Sequence, residues 1–173
     1  DSANVADLVA QGKCQFYENP DPQIIQLRNL LSLRKRLKRE EHSLRMRIRN
    51  SLVCKFFPEM DRYWGSCLQE NLSIVRYFLD PTKIAAMTFR DFVIRVSTKD
   101  RGDRQLKRLR KIYDAAADSI GCSVGPGAEF EADMLVERLL GVQKRIAETM
   151  RGVKEVAEQF VSYTKLQTIP GIG

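Results

Sequence analysis

The sequence predicts an all-α protein, with two long helices forming an antiparallel coiled-coil-like stalk and a small helical bundle at its tip. Three observations carry that reading. Apolar residues recur at spacings of three, four and seven over two long stretches. No stretch alternates apolar and polar residues in the manner of a half-buried strand. No Gly or Pro interrupts the first long stretch before Pro58.

Residues 1–20 open on DSANVADLVAQGK, a helix with Ala3, Val5, Ala6, Val9 and Ala10 on a small-residue face. Asn19-Pro20-Asp21-Pro22 breaks it, because two prolines bar a helix, while Asp21 is placed to cap the next one. The second segment, 21–58, is the first long basic helix. Leu27, Leu30, Leu37, Leu44, Ile48 and Leu52 mark its apolar seam, and unbroken it would span roughly 50 Å. Arg34 and Glu41 fall where that seam would want apolar residues.

Residues 59–129 read as the short-helix tip. Ser73–Leu79 is short and apolar, Asp80-Pro81-Thr82 is a helix start, and Ile84–Val96 has helical spacing. After the polar turn STKDRGD, a further helix places Leu106, Leu109, Tyr113, Ala116 and Ile120 on one face, with Gly121 to end it and Cys122–Glu129 as a loop. The second long helix, 130–165, has the cleaner seam. Leu135, Leu139, Val142, Ile146, Thr149, Val153, Val156, Phe160 and Tyr163 alternate spacings of four and three, as a helix does when it keeps register with a partner. That seam also predicts a homo-oligomer. Gly141 and Gly152, beside it, are expected at points of close approach or weak winding.

The formal net charge of +7 is concentrated rather than spread. Arg28, Arg34, Lys35, Arg36, Lys38, Arg39, Arg45, Arg47, Arg49 and Lys55 stand against only Glu40 and Glu41 between Ile24 and Phe57. Lys99, Arg101, Arg104, Lys107, Arg108, Arg110 and Lys111 form a second cluster against Asp100 and Asp103. Coiled-coil flanks usually interleave Glu with Lys, and this sequence hardly does. The excess therefore points to an extended polyanion, with Arg28, Lys35, Arg39, His42 and Arg49 projecting opposite the leucine seam. Aromatic residues are not interleaved with the second cluster, so base stacking is not predicted there.

Several classes are excluded. No apolar run approaches the roughly 18–20 residues of a membrane span. Cys14, Cys54, Cys67 and Cys122 form no C-x-x-C pair, so buried free thiols in a reducing cytoplasm are expected rather than a zinc site or disulfides. No phosphate-cradling loop and no catalytic Ser/His/Asp set is evident. The end, TIPGIG, has the pattern of a helix-hairpin-helix over 166–173. Pro170 stops one helix, Ile172 plugs the turn, and Gly171 and Gly173 bring backbone amides close to a phosphate. Both ends are thus expected to be interior points of a longer protein.

The order Asp1-Ser2-Ala3-Asn4-Val5-Ala6, a long basic helix ending in FFPEM, DAAADSIG, a heptad helix and L-x-x-IPGIG resembles the bacterial DEDD insertion-sequence transposases of the one-ten family. The resemblance runs the length of the chain, with Ser2 where alanine is usual. It implies the central part of a transposase: an RNase-H-like domain ending in 1–20, a long coiled-coil linker, and a C-terminal domain opening at 166–173 that supplies a nucleophilic serine beyond Gly173. By that likeness Asp1 is the last of four catalytic acidic residues and a ligand of Mg2+. The same likeness implies DNA and a structured guide RNA as partners, a bacterial cytoplasmic setting, and a fragment inert by itself. Two other readings stay open on the residues alone: a helix-hairpin-helix DNA-repair or nuclease accessory protein, and a structural coiled-coil adaptor.

Overall fold

The computed structural model describes residues 2–13, 21–65, 68–98, 102–160 and 163. Among them every regular element is helical. The elements are α1 (Ser2–Ala10), α2 (Pro22–Arg47), a π-helical segment (Ile48–Val53), α3 (Cys54–Phe56), a 3-10 helix (Pro58–Tyr63), α4 (Leu68–Phe78), α5 (Pro81–Ala85), α6 (Phe89–Val96), α7 (Asp103–Ala116) and α8 (Pro126–Ala157). The chain divides into two compact units, one of Asp1–Ser32 with Arg151–Gly173 and the other of Leu33–Met150.

In the first unit, α1 ends where Gly12 adopts a φ of 65°. The Lys13 N–H reaches the Leu8 carbonyl and the Gly12 N–H the Val9 carbonyl, both at 3.0 Å, which satisfies two of the helix's orphan acceptors. No α1 residue is buried, and Val5, Leu8 and Val9 are exposed. Asp21 starts α2 by accepting the Gln23 N–H at 2.8 Å. The first residues of α2 lie beside the last of α8: Gln23 bonds Gln159 at 3.0 Å, and the Leu30 side chain meets the space a Cβ on Gly152 would occupy. Val156 and Ala157 are buried.

The second unit holds the main core. The α2 and α8 residues that meet in it run in opposite directions, since Glu40 pairs with Arg138, Glu41 with Gln143, and Arg47 further along α2 with Glu131 further back on α8. Leu37 and Leu44 face inward from α2, and Ala132, Leu135, Val136, Leu139, Val142, Ile146 and Thr149 from α8. The seam positions of α8 in this unit are therefore covered within one chain. Self-association through them would have to compete with that burial.

The α2 helix departs from the expected continuous rod at Ile48, where the winding widens and the Cys54 N–H reaches back five residues to the Arg49 carbonyl. A wider turn of this kind lets Ile48, Leu52, Val53, Phe56 and Phe57 all be buried. Ordinary α winding would carry Val53 and Phe57 away from the face that holds Ile48 and Leu52.

The tip is more finely divided than its periodicity suggests. Ile84–Val96 is two helices. The carboxylate of Asp80 caps α5 by accepting the Thr82 N–H at 3.0 Å, and the hydroxyl of Thr88 caps α6 by accepting the Asp91 N–H at 3.2 Å. α6 packs against α4 and α7 through aromatic edges. Phe78 meets Phe92 at a 5.7 Å centroid distance, Phe89 meets Tyr113 at 5.4 Å, and the Tyr113 hydroxyl donates to the Met87 carbonyl at 2.7 Å.

Other boundaries also move. α7 stops at Ala116, and Ile120 is 86% exposed instead of continuing the apolar face. Gly121 is not a helix cap. A Cβ there would stand 1.9 Å from the Phe56 carbonyl oxygen, and the neighbouring Cys122 N–H donates to the Lys55 carbonyl at 2.9 Å. The following helix starts at Pro126 rather than 130, because a proline fits the first helical turn. Gly141 faces open space, so it marks no close approach. Cys54 and Cys122 are exposed, against the expectation of buried thiols. Among the described residues no helix is long and apolar enough to cross a membrane.

Candidate nucleic-acid interface

On the 34–49 stretch, charge is sorted by face. The two acidic residues turn toward α8: Glu40 receives the Arg138 guanidinium at 2.9 Å, and Glu41 receives the Gln143 amide at 3.1 Å and Lys38 at 2.8 Å. Burial alone would raise the Glu41 carboxyl, but these two hydrogen bonds and the nearby Lys38 and Arg45 charges bring it below its ordinary value. Arg34, Lys35, Arg36 and Arg39 are all exposed and carry no acidic partner among the described residues. Acid is thus used up in these pairs; Lys35, Arg36 and Arg39 lie off the Leu37–Leu44 face, while Arg34, one heptad before Glu41, is exposed at a seam position.

The other expected contact residues separate into groups. In the first unit Arg28 is exposed. Lys38, Arg47, Arg49 and Arg108 are held by Glu41, Glu131, Asp61 and Glu70, so the stripe drawn from the sequence is not uniformly free. Arg49 was expected to project opposite the seam. Instead it reaches the 3-10 helix, because the chain returns there after Pro58 and brings Asp61 alongside. On α7, Arg104, Lys107 and Lys111 are exposed and without acidic partners among the described residues, whereas Arg110 lies 4.1 Å over the Phe89 ring. Asp1, Lys99, Arg101, Pro170, Gly171, Ile172 and Gly173 fall outside the described residues, and with them the catalytic, metal and hairpin-loop expectations.

Arg108 has a structural role. Its guanidinium meets Glu70, which is 1% exposed at the start of α4 and also accepts from the Gln105 amide. Gln105 donates in turn to Thr98 at 3.0 Å. Next to Glu70, the Asn71 amide is fully buried and donates to the Tyr63 and Trp64 carbonyls, each at 2.9 Å. These bonds satisfy the end of the 3-10 helix and fix its position against α4.

That fixed 3-10 helix forms one wall of a pocket of about 460 Å3, lined by His42, Arg45, Met46, Arg49, Asp61, Arg62, Trp64 and Gly65. Asp61 grips Arg49 through two parallel bonds, Nε to Oδ1 at 2.5 Å and Nη2 to Oδ2 at 2.8 Å. The Arg49 hydrogen bond and charge, with a smaller contribution from the Cys54 thiol, hold the Asp61 carboxyl below its ordinary value, while burial opposes them. Burial and Asp61 together push the Cys54 thiol up.

Comparison of the chain with protein-family models, with curated proteins and with solved structures finds no match.

The sequence marks the cations of α2 as candidate contacts but does not mark Arg62 or Trp64. One signal was present: His42, Arg45 and Arg49 stand at spacings of three and four on one helical face. What brings Arg62 and Trp64 opposite them is the turn at Phe57-Pro58, which periodicity does not encode.

Proposed function

We propose that the chain is a nucleic-acid-binding helical linker, the central part of a DNA transposase of the DEDD one-ten type. The observation that supports binding most directly is the sorting of charge on α2. Glu40 and Glu41 pair with α8 and Lys38, while Arg34, Lys35, Arg36 and Arg39 are exposed and without acidic partners among the described residues. Along a helix the span from Arg34 to Arg45 is roughly 16 Å, and a nucleic-acid strand presents a phosphate about every 3.4 Å over that length. A ridge of this kind recognises backbone, not sequence.

The transposase assignment rests on the resemblance in Asp1–Ala6, the basic helix with FFPEM, and the L-x-x-IPGIG end. The antiparallel stalk belongs to the same proposal, supported by the opposed order of the α2–α8 pairs within the second unit. On this reading the linker holds two catalytic domains apart, DNA and a structured RNA lie on its cationic faces, and Asp1 with Mg2+ serves the parent protein's catalytic centre.

The testing experiment is a salt series of fluorescence anisotropy with labelled duplex DNA and with a labelled RNA hairpin. Binding that weakens steeply as salt rises is expected for both ligands. Absence of binding at low salt, or binding indifferent to salt, would remove the reading.

A further inference from the structure

The pocket between α2 and the 3-10 helix has a chemistry distinct from the open ridge. Its charged groups come from two sides that face each other: His42 and Arg45 of α2 with Arg49 of the π-helical segment, and Asp61 and Arg62 of the 3-10 helix. Three guanidiniums against one carboxylate leave it cationic even with His42 neutral.

Asp61 does not cancel Arg49 so much as orient it. The carboxylate occupies Nε and Nη2, which leaves the Nη1 pair of donors for a second acceptor. Arg45 and Arg62 form no ion pair among the described residues, and His42 supplies a ring N–H in any protonation state. Trp64 is only 5% exposed, so its ring face is closed to a stacking base. The open guanidinium groups of Arg45, Arg62 and Arg49 are donors alone, and convergent planar donors match the oxygens of a tetrahedral anion.

We propose that this pocket is a phosphate-binding site that seats one phosphate group of a nucleic-acid strand, or a free phosphate of the same chemistry, among Arg45, Arg62, His42 and the open edge of Arg49. It deepens the nucleic-acid reading and rests on it for the source of the phosphate. The ridge attracts a strand along its length; the pocket fixes where one phosphate sits. Because Asp61 holds Arg49 before any ligand arrives, that side chain needs no further ordering on binding.

The chain's single tryptophan is Trp64, so its emission reports on this pocket alone. The full chain is titrated with inorganic phosphate against chloride at matched ionic strength, and separately with a short single-stranded oligonucleotide. Calorimetry and anisotropy are read alongside. Three proteins are compared: the unaltered chain, Arg45→Gln with Arg62→Gln, and Arg34→Gln with Arg36→Gln, each shown to be folded by its thermal transition.

A saturable emission change and binding heat with inorganic phosphate are expected, weakened roughly tenfold or more in the pocket variant and unaltered in the ridge variant. The oligonucleotide should produce the same emission change. No phosphate-dependent signal by emission or calorimetry, or an equal response from the folded pocket variant, overturns the proposal. If the oligonucleotide binds by anisotropy while Trp64 and the phosphate heats stay silent, the pocket fails and the ridge stands. If inorganic phosphate binds and no strand does, the pocket stands as a free-phosphate site and the nucleic-acid reading fails.

Discussion

Neutralising the α2 ridge separates an interface from a solvated flank. The variant carries Arg34→Gln, Lys35→Gln, Arg36→Gln and Arg39→Gln, four exposed side chains without acidic partners among the described residues. Each phosphate contact releases counterions and contributes about 0.9 to the slope of log K against log salt on duplex DNA, so four contacts contribute about 3.6. Between about 50 and 200 mM salt, those four alone weaken binding by roughly 150-fold. The variant should lose that part of the slope and bind more weakly at low salt, with the remaining slope set by Arg45 and the α7 cations. Its folding stability should stay within about 0.5 kcal/mol per site, since exposed side chains are being exchanged and the Lys35–Arg39 repulsion is removed. Anisotropy over the salt range gives the slope, and a denaturant melt gives the stability. An unchanged slope in a folded variant would refute the assignment of these four residues to the interface.

Three further outcomes follow from the packing. Gly121→Ala places a Cβ 1.9 Å from the Phe56 carbonyl oxygen, and backbone has no flexible end to give way; a loss of about 2–3 kcal/mol is expected by urea unfolding, and an unaltered midpoint would disprove the close contact. Glu70→Ala leaves the Arg108 guanidinium, 18% exposed, without its carboxylate. A loss of about 3–5 kcal/mol is expected, partly recovered when Arg108→Met is added, and a lack of recovery would show that the pair is not coupled. Asp61 has a folded pKa below its unfolded one, chiefly through the Arg49 hydrogen bond. Its pairing therefore stabilises the protein above the ordinary carboxylate value and is lost as pH falls through the folded value, so Asp61→Asn should flatten the decline of melting temperature below about pH 4. A decline equal to that of the unaltered chain would exclude this contribution.

The legible parts of the fold were those set by local chemistry. Asp21 and Asp80 announce their helices because a short carboxylate just before an apolar-periodic run can accept one of the free N–H groups of the first turn. Leu135, Leu139, Val142, Ile146 and Thr149 could be read as a buried face because one period persists over the whole run. The missed features depend on distant partners. Nothing near Ile48 specifies a π turn; the requirement comes from fitting both Val53 and Phe57 into the core. The end of α7 at Ala116 is set by Glu59, which accepts from the Ser119 hydroxyl at 2.6 Å and the Ile120 N–H at 3.0 Å, holding the chain in a non-helical path. Burial alone would raise the Glu59 carboxyl, but these bonds bring it below its ordinary value. In the candidate site the charge excess was visible in composition. Which cations are free was not, because Arg49, Arg47 and Arg108 meet acids 12, 84 and 38 residues away.

The pairing pattern also explains how a basic helix can lie against another helix without repulsion opening the contact. Arg138 and Gln143 of α8 present donors, and Glu40 and Glu41 are the only acids on the facing part of α2, so each inward acid meets a donor. Converting Glu40 to Lys would set a cation against Arg138 and would weaken the contact. The acids are therefore required by packing, whereas the outward cations touch nothing that packing requires. Their charge is thus unconstrained by the fold and mildly unfavourable beside like-charged neighbours, which leaves them available to the ligand proposed above.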